Sequence, residues 1–160
     1  MDGVSSVLAA FGLSASAGLN AYIPLLVVSL VARFTHWLPL NEQWQPLTSW
    51  WVIGALVILT AIEFFADKFP AVNHVNDVVQ TFVRPTAGAV LFAASTGAAT
   101  KIDPIVAIIA GLVIAGSVHA TKSLAVRPAI TATTAGAGNV PISFLEDIVA
   151  TGLSILAVIV

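Results

Sequence analysis

The chain has 160 residues, 58% of them hydrophobic by type and 9% charged, with a formal net charge of −2 and no cysteine. A soluble domain carries about a quarter charged residues, so there is too little charge here to solvate a surface. Disulfide, thiol and thiolate-metal chemistry are excluded, and the charge balance gives no footing for nucleic acid.

Mean hydropathy is +0.99, and apolar runs recur at about 17–25 residues, the length of a membrane span. The sequence therefore predicts an all-α, polytopic transmembrane helical bundle forming one domain over 1–160. About five spans are expected, near 4–34, 50–69, 76–99, 104–124 and 142–160. The head carries Asp2 and no Lys or Arg before Arg33. It lacks the basic n-region of a signal peptide and reads as retained. The first apolar segment contains Gly18-Leu19-Asn20 and then Pro24, which predicts a broken first helix; the plainer alternative is one tilted, Pro-kinked helix. Broken helices are tolerated in membranes only where their free backbone groups face protein or water.

Residues 36–51, HWLPLNEQWQPLTSWW, hold all four tryptophans, Trp37, Trp44, Trp50 and Trp51. Indole prefers the headgroup level, so this stretch marks an aromatic belt on one face, Y. Pro70 limits the second span, and the polar residues up to Gln80 read as a connection. The third span ends near Ala99, with Ala93 and Gly97 as a small-xxx-small pair that lets helices approach. Lys101 to Pro104 is a tight turn, with Pro104 suited to the first turn of the fourth span. Residues 127–139, RPAITATTAGAGN, read as a hydroxyl-rich loop; TTAGAG within it is a flexible loop before it is an anion-binding nest. The last span begins near Pro141 and runs to Val160.

An offset of 56 residues relates Leu56-Val57-Ile58 to Leu112-Val113-Ile114, Glu63 to His119, and Pro85 to Pro141. Spans two–three and four–five then form a parallel internal repeat. Five crossings put the N-terminus and the segments 69–85 and 125–141 on face X. Lys and Arg are more numerous there, so the positive-inside rule makes X, and the N-terminus, cytoplasmic.

Face X also gathers the chemistry. Glu63 and Asp67 are i and i+4 and share a helix face; His119, Lys122 and Ser123 share another. Ionisable groups in apolar spans face a cavity or pair with each other. The candidate binding or transport residues are Asn20, Glu63, Asp67, Lys68, Asp77, Arg84, His119, Lys122, Glu146 and Asp147. Glu63, Asp67 and His119 are the candidate ligands of a divalent cation, the one possible cofactor, or a proton relay. Lys68, Arg84, Lys122 and Arg127 offer an alternative grip on an anionic lipid head group. The structural reading is that acids and bases simply pair and lock the helices in register.

The motifs GLNAYIPLL (18–26), EFFADKFPAVNHVND (63–77), RPTAGA (84–89), HATKSLAVRP (119–128) and SFLEDIVA (143–150) together resemble a bacterial integral-membrane family defined as a domain of unknown function. The resemblance implies a shared multi-span fold in the bacterial inner membrane and no established activity. Glu63, Asp67 and Lys68 also weakly resemble the Glu-x-Gly-Asp-Lys/Arg motif of certain cation exchangers. The Glu-to-Asp spacing here is one residue longer, Ala66 stands for the Gly, and Phe69 replaces the hydroxyl residue. No GxSxG, Walker or HExxH motif is present, so an enzyme is not expected. The leading expectation is a small transporter or channel for a cation or protons, embedded in the bilayer as a homodimer or higher homo-oligomer. An anionic-lipid-handling protein and a structural or accessory subunit are the rivals.

Overall fold

The computed structural model describes residues 2–97 and 100–159, leaving aside the side chains of residues 70, 71, 73 and 74. The expected span ends at Ala99 and Val160 lie outside the described residues. The described elements are all helical: α1 (Gly3–Leu19), α2 (Tyr22–Phe34), a 3-10 stretch (Glu42–Thr48), α3 (Trp50–Ala66), α4 (Pro70–Thr96), α5 (Pro104–Thr121), a π-helical turn (Lys122–Val126), α6 (Arg127–Thr134) and α7 (Asn139–Ile159). Helix starts follow ordinary capping chemistry. Asp2 Oδ1 accepts the Ser5 amide at 2.8 Å, Asp103 Oδ1 accepts the Ile105 amide at 2.8 Å, and Pro70 and Pro104 occupy first turns.

The core is built around α1, whose buried residues are almost all small: Ser6, Ala9, Ala10, Ser14, Ser16, Ala17 and Gly18, with Leu13. Small side chains let α4, α5 and α7 all pack on this one rod. Hydroxyls add polar ties in an apolar interior. Ser14 Oγ donates to the Gly88 carbonyl at 3.0 Å, and Ser16 Oγ donates to the Ala150 carbonyl at 2.8 Å. Helices α4 and α5 approach each other with almost no room between their backbones. A Cβ on Gly88 would strike Ala115 and the Gly111 carbonyl, and a Cβ on Gly111 would strike the Gly88 carbonyl. The expected Ala93/Gly97 pair is different: Ala93 clusters with Ala10, Phe92 and Ala107, while Gly97 faces the Asn41 side chain.

The first apolar segment is broken, as its Gly18-Leu19-Asn20 predicts, and the break is a reversal. Gly12 in α1 packs on Ala157, so the α1 N-terminus lies at the C-terminal end of α7. Its C-terminal Leu19 carbonyl receives Lys122 Nζ at 3.0 Å, at the opposite end of α5. Helix α2 then climbs back: Val28 joins Leu91, Ala94 and Val158, and Phe34 meets the Trp50 ring at 5.9 Å. Helices α1 and α2 are thus a hairpin with its tip at Asn20. This corrects the expected topology, because the N-terminus falls at the tryptophan end, Y, rather than at X. At 1.5 Å per residue the arms are about 25 and 20 Å long, short of the ~30 Å hydrocarbon thickness of a bilayer.

Two further expectations change. The polar stretch up to Gln80 is the first half of α4, and 127–134 is helix α6 rather than loop. In α4 Gln80 and Arg84 are buried and Asn76 and Asp77 partly buried, while Val75, Val78, Val79 and Phe82 (73% exposed) point out. Of the tryptophans, Trp37, Trp50 and Trp51 are exposed, but Trp44 packs between the two core clusters.

Among the described residues, two helical stretches, 104–134 and 139–159, are long and apolar enough to cross a membrane; residues 42–48 and 50–66, bent by 60°, make a third if taken as one broken span. Helix α3 packs chiefly on α2 and only lightly on α4, and α7 packs on α1 and α2 rather than on α5, so neither hairpin of the expected repeat is a closely packed pair.

Candidate functional site

The reversal at Asn20 sets the floor of the site. Asn20 Oδ1 accepts the Tyr22 and Ile23 amides, each at 3.1 Å, and so caps α2. Its Nδ2 donates to Asp147 Oδ1 at 3.1 Å. Lys122 satisfies the other side of the turn by binding the Leu19 carbonyl. An ammonium at a helix C-terminus is also favoured by the helix dipole.

Around this floor the helices bring charge inward. Arg84 on α4 is 0% exposed, and Nη2 donates to Glu63 Oε1 of α3 at 2.9 Å. Its Nη1 lies 3.1 Å from His119 Nδ1. A guanidinium has only donors, so Nδ1 accepts. The ring is then neutral, with its Nε2 proton directed to Thr81 Oγ1 at 3.2 Å. The 56-residue offset has a spatial counterpart here, since Glu63 and His119 reach the same guanidinium.

Asp67 Oδ2 is the common node. Arg127 Nη2 lies 3.2 Å away, and Arg84 Nη2 and Lys122 Nζ each lie 3.6 Å away. Its Oδ1 accepts from Asn76 Nδ2 at 2.7 Å. Glu146 Oε2 of α7 takes Lys122 Nζ at 2.7 Å and Arg127 Nη2 at 3.3 Å, while Asp77 takes Arg127 Nη1 at 3.3 Å. Lys68 Nζ pairs with Asp147 Oδ2 at 2.8 Å and sits 3.5 Å from the Phe64 ring centroid and 4.3 Å from that of Phe144, an aromatic cradle for the ammonium.

The π-helical turn explains how Lys122 and Arg127 cooperate. Pro128 has no amide to offer, and the turn before it widens, with the Arg127 amide bonding the Lys122 carbonyl. In an α-helix, residues five apart diverge by about 140°; in a π-turn they stack nearly one above the other. Both cations therefore face the same carboxylates.

The ten residues singled out from the sequence fall in two adjacent groups: Asn20, Lys68 and Asp147 bond one another, and Glu63, Asp67, Asp77, Arg84, His119, Lys122 and Glu146 form the larger network. Arg127, with Asn76 and Ser143, completes the larger network and was not among the ten. The signal was available: Arg127-Pro128 repeats the Arg84-Pro85 dipeptide, and Arg127 follows Lys122 by five. The expected metal ligands Glu63, Asp67 and His119 gather at the edges of the Arg84 guanidinium. Among the described residues no group of three or more His, Asp or Glu is placed to hold a metal ion.

Two features bear on what the network does. Among the described residues, four bases, Lys68, Arg84, Lys122 and Arg127, face five acids, Glu63, Asp67, Asp77, Glu146 and Asp147, one acid more than bases. Two oxygens, Glu63 Oε2 and Gln80 Oε1, are buried without a hydrogen-bond partner. Two cavities approach the network. One of about 720 Å³, beyond it toward X, has Asp67, Lys68, Asp77 and Arg127 on its floor and Thr131 and Asn139 on its wall. The other, of about 410 Å³, is an apolar groove between α5 and α7 that reaches Lys122 and Glu146. The TTAGAG segment closes on itself rather than forming a nest: Gly136, Ala137 and Gly138 amides bond Thr131 O, Thr134 O and Thr134 Oγ1.

Comparison with known proteins identifies the family: the domain of unknown function DUF4126 matches residues 7–160, and the chain belongs to it. No curated protein and no solved structure matches the chain.

Proposed function

We propose that this DUF4126 protein is a small integral membrane transporter or channel that moves protons or a monovalent cation through its buried ion-pair network. Its apolar surface lies in the bilayer, with the helices taken as spans around the α1–α2 hairpin. The observation that carries this reading is the fully buried Glu63 carboxylate, whose Oε2 has no hydrogen-bond partner, inside a network where the described acids outnumber the described bases by one and the most exposed acid, Asp77 at 25%, lines the X-side cavity. A net charge in a low-dielectric interior is costly, so the site has a physical demand for one positive charge. The buried and unpartnered Glu63 Oε2 is a natural acceptor for it. A monovalent occupant fits better than a divalent one, because a second added charge would leave the network positive and Arg84 already fills the space among Glu63, Asp67 and His119.

The anionic-lipid alternative has the same observation against it, since all four cations are already matched by carboxylates. An added phosphate would deepen the negative excess.

In this mechanism the X-side cavity, floored by Asp67, Asp77 and Arg127, supplies water contact. The multiple partners of Asp67 let ion pairs exchange without leaving any charge unpaired. The test is proton flux into proteoliposomes carrying a pH gradient, read with an enclosed pH-sensitive dye. Wild-type protein is expected to dissipate the gradient faster than empty liposomes, and Glu63→Gln to fall to the empty-liposome rate. Wild-type flux no faster than background, or flux unchanged in Glu63→Gln, overturns the reading.

A further inference from the structure

We propose that a file of buried waters, held by Ser29, Ser95 and Trp44 along the seam between α2 and α4, joins the Y end of the bundle to Glu63 and gives the proton its second mouth. This rests on the transporter reading above, which has water contact at the X end alone.

The starting point is a set of polar atoms that the fold itself does not use. Ser29 Oγ, Ser95 Oγ and Trp44 Nε1 are buried without a hydrogen-bond partner. Other core hydroxyls are bonded: Ser14, Ser16, Ser154 and Thr96 each donate to a backbone carbonyl. Unpaired buried polar groups are few in folded proteins, and buried water is their usual partner. The three atoms come from three elements. Water serves donors and acceptors alike, and two to four polar partners hold it.

Helical spacing sets these atoms on one line. Tyr22 and Ser29 are seven residues apart on α2 and share a face. On α4, Gln80, Arg84, Leu91 and Ser95 stay within about 60° of one another at 3.6 residues per turn. The two faces meet toward X, where the Tyr22 hydroxyl interacts with the Gln80 side chain and lies in the field of Glu63 and Arg84. Gln80 Oε1 and Glu63 Oε2 are unpartnered there too. Toward Y, Val28 and Ala94, the chain neighbours of the two serines, share a cluster with Leu91, and Trp44 packs against it. A cavity of about 250 Å³ caps the seam at Y. It is lined by Ala32, one turn beyond Ser29, by Leu38 and Leu40 of the same cluster, and by Thr35, Gln45 and Thr48.

The file has one dry interval. Ser29 stands about 10 Å beyond Tyr22 along the helix axis, and Val28 and Leu91, both 0% exposed, lie within that interval. A short apolar layer of this kind gates by dewetting. The proton site is then open to X and gated from Y.

The experiment uses the purified full chain in lipid with isotope-labelled tryptophan. Its four tryptophans give separate indole N–H signals by NMR, and Trp44→Phe identifies the one that matters. The Trp44 indole proton is expected to show a cross-peak to water, lost in the double variant Ser29→Ala with Ser95→Ala. In liposomes that variant is expected to slow proton flux about tenfold, the rate equivalent of one hydrogen bond of about 1.4 kcal/mol. Its melting temperature should hold or rise, because only unpaired hydroxyls are removed, so a slower flux does not come from misfolding. Absence of the Trp44 cross-peak, a cross-peak that the double variant retains, or flux unchanged in that variant would each overturn the proposal. If flux survives the double variant while Glu63→Gln still abolishes it, the Y-side file falls and the proton reading stands; if wild-type flux does not exceed background, both fall.

Discussion

The two halves of α4 are built on opposite principles. Residues 85–96 hold Gly88, Ala89, Ala93 and Ala94, and they seat against α1 and α5 through backbone-close packing. Residues 76–84 hold Gln80 and Arg84 buried and Asn76 and Asp77 partly buried, with Val78, Val79 and Phe82 turned out. The first kind of packing has essentially one arrangement, because any added methyl collides. The second is a set of charges with several partners each, and Asp67 alone is approached by three cations. One half of the helix supplies a rigid frame, the other an interior that can redistribute charge. The proposed function draws on the half that has alternatives.

Substitutions should separate these halves, the largest effect first. Arg84→Met removes the guanidinium shared by Glu63, Asp67 and His119 and leaves buried carboxylates uncompensated. The expected loss is about 3–5 kcal/mol, read as a fall in melting temperature in detergent. Adding Glu63→Gln to that variant should recover part of it, because the orphaned charge is then gone. In the frame half, Gly88→Leu drives a side chain into Ala115 and Gly111. It is expected to cost about 3 kcal/mol by the same measurement, with no partner substitution in the charged half restoring it. Asn20→Ala removes the cap of α2 and the tie to Asp147. It should cost about 1 kcal/mol and raise hydrogen exchange at the Tyr22 and Ile23 amides. Trp51→Ala, at a residue 90% exposed, is expected to change detergent stability by less than about 0.5 kcal/mol.

The charge cluster was legible in the sequence because ionisable residues inside apolar runs have few places to go. Glu63 and Asp67 share a helix face, His119 and Lys122 share another, and both faces must turn inward. The hairpin was not legible. Residues 4–34 have the length of one long span, and the reversal at Asn20 depends on Lys122, a hundred residues away, closing the end of α1. Residues 70–80 misled for a different reason. Polar side chains were read as facing water at a loop, whereas Asn76, Asp77 and Gln80 turn toward the interior of an inside-out helix. The spacing Asn76, Gln80, Arg84 already carried the helical period. The count of basic residues on X failed similarly, since Lys68, Arg84, Lys122 and Arg127 are interior groups rather than loop charges.

The proposed demand for one positive charge at Glu63 is tested directly by infrared spectroscopy of the purified protein held in lipid. The protonated-carboxyl C=O band of wild-type protein at neutral pH should correspond to a single acid group and should disappear in Glu63→Gln. A spectrum with every carboxyl ionised in the wild-type protein, or a band that Glu63→Gln leaves untouched, would contradict the account.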